Sequence, residues 1–102
     1  MKVIQRGIMK VLPGKMAEAM ELMKKHNALA TRLGCPPMRS YRCISGGGEF
    51  FHTIIGEAEW DSFATMEAFF DKMMVDPEMQ ALMAKWETIL ESHELEFYMP
   101  MP

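Results

Sequence analysis

Met9-Lys10-Val11-Leu12-Pro13-Gly14-Lys15-Met16-Ala17-Glu18-Ala19 is where one backbone period gives way to another. Upstream, Val3 to Val11 reads as a strand. Ile4 and Ile8 share one face with Lys2, Arg6 and Lys10, and Val3, Gln5, Gly7, Met9 and Val11 share the other. Neither face is cleanly polar, which predicts a strand at least partly covered on both sides. Downstream, Lys15 to Leu33 reads as a helix of about five turns. Met16, Ala19, Leu22, Met23, Ala30 and Leu33 fall on one stripe, with Glu18, Glu21, Lys24, Lys25, Ala28 and Arg32 opposite. His26 lies near the centre of the apolar stripe. Gly34 suits the helix stop, and Cys35-Pro36-Pro37 forces an extended connection.

Working outward, Met38 to Ser45 alternates as a second strand, with Arg39, Tyr41 and Cys43 on one face. Gly46-Gly47-Gly48 supplies a hairpin turn, and Glu49 to Glu59 reads as a third strand running out to Trp60. This strand places Phe50, His52, Ile54, Gly56, Ala58 and Trp60 on one face. Asp61-Ser62 offers a helix cap, and Phe63, Met66, Phe70 and Met73 or Met74 recur at helical spacing. Asp76 caps a further helix with Pro77 at its first position; Met79, Leu82, Met83, Trp86, Ile89 and Leu90 form its stripe. Leu95 and Phe97 alternate with Glu94, Glu96 and Tyr98 in a last strand, and His93 falls in the turn before it. The order is β-α-β-β-α-β with the second α split. This predicts one α+β domain over residues 1–102: a ferredoxin-like, four-stranded antiparallel sheet with helices on one face. The helix-free face then needs a cover, and a second copy of the chain is the simplest one.

The composition narrows the function classes. A net charge of −3, with no basic stripe, argues against nucleic acid as partner. There is no apolar run that would span a bilayer, and Met1 to Arg6 turns polar too soon for a signal peptide. Cys35 and Cys43 read as reduced thiols, which points to the cytoplasm. Thirteen methionines imply a soft core or an adaptable apolar pocket.

The whole chain resembles the dimeric α+β barrel superfamily, and within it NIPSNAP-like proteins. Pro13-Gly14-Lys15-Met16, Glu57 to Trp60 with the helix after it, and Asp76-Pro77-Glu78-Met79 onward carry the likeness. The resemblance implies a homodimer paired sheet to sheet. It implies little about activity, because NIPSNAP-like domains have no general enzymatic assignment. Antibiotic-biosynthesis and haem-degrading monooxygenases are relatives. The haem-degrading group uses a first-strand Asn, a Trp near the end of the third strand and a His on the last helix. Here the first strand offers Gln5, the helix from Glu78 to Leu90 has no His, and Trp60 alone matches loosely. No cofactor is expected.

The candidate catalytic residues are His26 and His52. His26 would serve as a general base or hydrogen-bonding group in a helix–sheet pocket; the plainer alternative is a core histidine bonded to a carbonyl or to Tyr41. His52 faces either a barrel cavity or a dimer interface. Tyr41, Arg42 and Trp60 are candidate ligand-binding residues. Arg42 would clamp an anionic group, or else pair with Glu57 or Glu59 across the hairpin. Trp60 would wall a pocket or simply fill core. The histidines share no metal-ligand spacing, so no metal is expected. Three accounts remain open: an apolar-ligand-binding homodimer, a cofactor-independent monooxygenase or isomerase for a planar enolisable substrate, and a purely structural dimerising module.

Overall fold

The computed structural model describes residues 1–46 and 50–102. The described elements are β1 (Val3–Val11), α1 (Met16–Arg32), β2 (Arg39–Arg42), β3 (Thr53–Trp60), α2 (Phe63–Val75), α3 (Pro77–Ile89) and β4 (Leu90–Tyr98), with a 3-10 turn at Phe50–His52. Strand order is β2-β3-β1-β4 and every neighbouring pair is antiparallel, which is the expected ferredoxin-like α+β sheet. Gly47 and Gly48 of the expected hairpin turn, and Glu49, lie outside the described residues.

Local chemistry sets the boundaries. The Ser62 hydroxyl accepts from the Thr65 N–H while Thr65 Oγ1 accepts from the Ser62 N–H, a reciprocal cap that starts α2. Asp76 Oδ2 accepts from the Met79 N–H at 2.8 Å, and Pro77 occupies the first position of α3. Gly34 follows α1 at φ +108°, a conformation that side chains disfavour.

Three boundaries differ from expectation. β3 begins at Thr53, because Phe50–His52 turns instead of extending. β2 is four residues long. β4 begins at Leu90, directly off α3, so Leu90 belongs to the sheet and His93 lies inside a strand, not in a turn before it.

Register assigns the two faces. Gln5 pairs with Ala58 and Phe97, Gly7 with Gly56 and Leu95, and Met9 with Ile54 and His93. These residues face the helices. On the opposite face, Arg39, Glu57, Arg6 and Glu96 lie in one row across all four strands. The core joins Val3, Val11, Ala58 and Trp60 of the sheet to Ala19, Leu22 and Leu29 of α1, and to Met79, Leu82 and Ile89 of α3.

Candidate functional site

Between the sheet and the three helices lies a cavity of about 440 Å³. Its apolar lining is soft and aromatic: Met9, Met23, Met38 and Met73 with Phe69, Phe70 and Trp86. Its polar groups are few: Gln5, His26, His93, Ser92, Glu87 and the Cys35 thiol. A volume of this size, with sparse polar groups, suits a small organic molecule. Met83, Glu87 and Leu95 line it and are exposed, and Leu95 is 48% exposed, so the mouth lies between α3 and β4.

The floor follows from the sheet. Gly7 and Gly56 are register partners on adjacent strands, both facing the helices. A Cβ on Gly56 would stand 3.2 Å from the Met23 methyl and 3.7 Å from that of Met38. A Cβ on Gly7 would stand 3.4 Å from His93 Nε2. Two thioethers and one imidazole thus converge on a saddle that has no side chain of its own.

His26 enters from α1, where the apolar stripe turns it toward the sheet. Its Nδ1 is buried without a hydrogen-bond partner. Burial lowers its pKa below the ordinary 6.5, and the nearby His93 lowers it further. His93 is lowered as well, by the part of its ring that the cavity covers, although the residue as a whole is exposed at the mouth. Near neutral pH the cavity therefore holds two uncharged imidazoles, each able to accept or donate one proton. Trp60 Nε1 donates to Gln5 Oε1 at 2.9 Å, which fixes the amide and leaves its N–H donors for the cavity. The Cys35 thiol is pushed up to about 11 by burial, so it stays protonated and is a poor nucleophile.

The structure brings His26 together with His93 at this cavity, and the other candidate, His52, stands apart. His52 is exposed in the 3-10 turn and does not line the cavity. Trp60 is buried behind the wall, its ring centroid 5.2 Å from that of Phe69, and acts on the cavity through Gln5. Tyr41 lies on the helix-free face, where its hydroxyl donates to Glu57 Oε2 at 3.4 Å. Arg42 pairs in register with Ile54 on the helix side, so the expected rim pair with Glu57 or Glu59 does not form; Arg39 stands opposite Glu57 instead. Arg42 lines a second, shallower groove of about 280 Å³ between α1 and β2. Among the described residues, no three His, Cys, Asp or Glu side chains converge as a metal-ligand set, and no helix is long and apolar enough to cross a membrane.

No family model matches the chain, and no curated protein does. Solved structures match over nearly its full length. A NIPSNAP family protein from Agrobacterium tumefaciens is 18% identical with a TM-score of 0.79, covering 98% of this chain and 86% of that one. A NIPSNAP-like domain protein from Burkholderia xenovorans is 12% identical with a TM-score of 0.80, covering 98% and 85%. SnoaB, a cofactor-independent oxygenase from Streptomyces nogalater, is 12% identical with a TM-score of 0.74, covering 99% and 94%. The chain thus has the α+β fold shared by NIPSNAP-like proteins and this oxygenase.

Proposed function

We propose that the protein is a cytoplasmic homodimer that binds a small, largely apolar molecule in the helix–sheet cavity. The observation that carries the ligand reading is the buried, unpartnered Nδ1 of His26 inside an apolar cavity. An orphaned buried polar atom is costly, and a ligand hydroxyl or carbonyl would satisfy it. The test is an NMR titration of the His26 and His93 imidazole signals with phenols, naphthols and linear alcohols. Both signals should move with at least one class. If none moves either signal at millimolar ligand, the cavity is not a binding site and the dimerising module is the better account.

The row Arg39-Glu57-Arg6-Glu96 supports the dimer. Its signs run plus, minus, plus, minus across the sheet. A twofold axis parallel to the strands would lay β2 over β4 and β3 over β1 of the partner, setting every charge opposite its complement. Ile4, Ile8 and Ile55 share that face and are only partly exposed in the single chain. Sedimentation should show a dimer at micromolar concentration. Arg6→Glu should dissociate it, and adding Glu57→Arg should restore it; a monomeric parent chain would end the proposal.

A second reading is cofactor-independent oxygenation, as in the structural neighbour SnoaB. It is favoured by the two uncharged imidazoles, either of which would take a proton from an enolisable substrate. Oxygen uptake with a phenolic or enolic substrate, lost in His26→Leu, would support it.

A further inference from the structure

We propose that the Gly7–Gly56 pair is the specificity element of this cavity, and that it selects a flat aromatic ligand carrying one hydroxyl or carbonyl oxygen. This rests on the ligand-binding reading above and narrows it. The two glycines face each other on adjacent strands, so two neighbouring Cβ atoms are missing from the floor at the same level. Sheets lose packing where glycine interrupts a strand, and a paired interruption leaves room for another group to approach the backbone. Neither glycine has a positive φ, so conformation does not demand them. Space remains as the reason for their presence.

What borders the floor suits a ring. The Met23 and Met38 methyls stand over Gly56, and His93 Nε2 stands over Gly7. Thioethers contact aromatic rings favourably and adapt to their outline. Phe69, Phe70 and Trp86 complete the wall, where a second ring would stack offset or edge-on. A flat ring settling on the floor needs the flexible thioethers to swing aside by its own thickness, and a puckered, saturated ligand of equal carbon count, being thicker, needs them to move further. The unpartnered His26 Nδ1 is the polar atom to which the ligand's one oxygen would bond, with His93 and Gln5 the other polar side chains bordering the floor.

Alanine at these positions separates fit from folding. The tight contact at Gly56 is with the end of a flexible Met23 side chain, which gives way into the adjoining cavity. Gly56→Ala should therefore fill the cavity while leaving the sheet intact. Gly7→Ala meets ordinary contact distance and is the milder second variant. Each alanine should hold or raise the melting temperature, because glycine in a strand is the weaker residue.

The experiment is calorimetric titration with 2-naphthol and with decahydro-2-naphthol, which share ten ring carbons and one hydroxyl but differ in thickness. The parent protein should prefer 2-naphthol at least tenfold. Gly56→Ala should lose at least tenfold on 2-naphthol, and Gly7→Ala a smaller factor, with melting temperatures unchanged or higher. Equal affinity for the two alcohols overturns the proposal and leaves the ligand-binding reading standing. Undiminished naphthol binding by both alanine variants overturns it as well. Failure of the parent to bind either alcohol overturns it too; the NMR series then decides whether the ligand-binding reading survives.

Discussion

Along its helix-covered face, β1 presents Val3, Gln5, Gly7, Met9 and Val11. The two ends of that row and its middle are built differently. Val3 and Val11 are each 1% exposed, locked against Trp60 at one end and the Ile89–Leu90 junction at the other. The middle is a glycine opposite a glycine, under flexible thioethers and a cavity. Close packing at the ends accounts for the fold, and the middle is where the molecule forgoes packing. A side chain at either end has neighbours on every side, so its removal leaves a hole into which the surroundings relax only in part. A side chain in the middle already borders a void.

The largest expected effect tests that contrast. Ile89→Ala, at a residue 1% exposed, should destabilise by about 2–5 kcal/mol in chemical denaturation. Met73→Ala, on the half-buried cavity wall, should cost only about 1 kcal/mol, since less of its surface is taken out of water. Equal losses would mean that the cavity wall is packed as firmly as the ends.

The next effect is electrostatic. Native His26 has a pKa below 6.5, so at acid pH the unfolded chain binds the proton first. The stability held by neutral His26 is complete above about pH 6.5 and falls as pH drops from there toward the lowered native value. The other ionisable groups lining the cavity are His93 on β4, Glu87 on α3 and the Cys35 thiol. His26→Leu should flatten the loss of stability between pH 7 and pH 5, because the variant has no imidazole there to take up a proton on unfolding. At pH 8 it should be neutral or stabilising, because it removes an unpartnered buried nitrogen. A parent protein as stable at pH 5 as at pH 7 would show that protonation of His26 meets no resistance.

Periodicity carried the fold and stopped short of the site. Element order, the caps at Ser62 and Asp76 and the stripe of α1 were legible because each is local: spacing, a hydroxyl or carboxylate before a helix, a proline at its first turn. Placement of His26 on the inner stripe was legible for the same reason. Its partner was not found there, although the signal existed. His93, Leu95 and Phe97 alternate, so a strand that included residue 93 would have put the imidazole on the helix side with the other two. The strand's start was misplaced because α3 passes into β4 without a loop, and Leu90 fits a helical stripe as well as a strand. The glycine saddle was illegible for a different reason. It depends on the register of β1 against β3, and Gly7 and Gly56 are 49 residues apart in sequence.

A smaller effect belongs to the helix starts that hold the packed ends in place. Asp76→Ala removes the carboxylate that accepts from the Met79 N–H, in the first turn of the helix whose Met79 is fully buried. The expected loss is about 1 kcal/mol, within the 0.5–2 kcal/mol range of such caps. Asp76→Asn should recover most of it, since an amide oxygen accepts the same hydrogen bond. Failure of Asn to rescue would shift the cause from capping to charge at the helix N-terminus.

The smallest expected effect lies above the same junction. Arg32 in the last turn of α1 donates to Glu78 in the first turn of α3 at 2.5 Å. The arrangement is favourable twice over, with a cation at one helix C-terminus and an anion at another's N-terminus. Both side chains are nonetheless more than 60% exposed, so water and salt screen the pair and side-chain entropy opposes it. Glu78→Gln should cost a few tenths of a kcal/mol in dilute buffer and less at high salt. A loss near 1 kcal/mol that persists in 1 M salt would show that the pair clamps α1 to α3, and would move part of the rigidity of the packed ends from the valines to the surface.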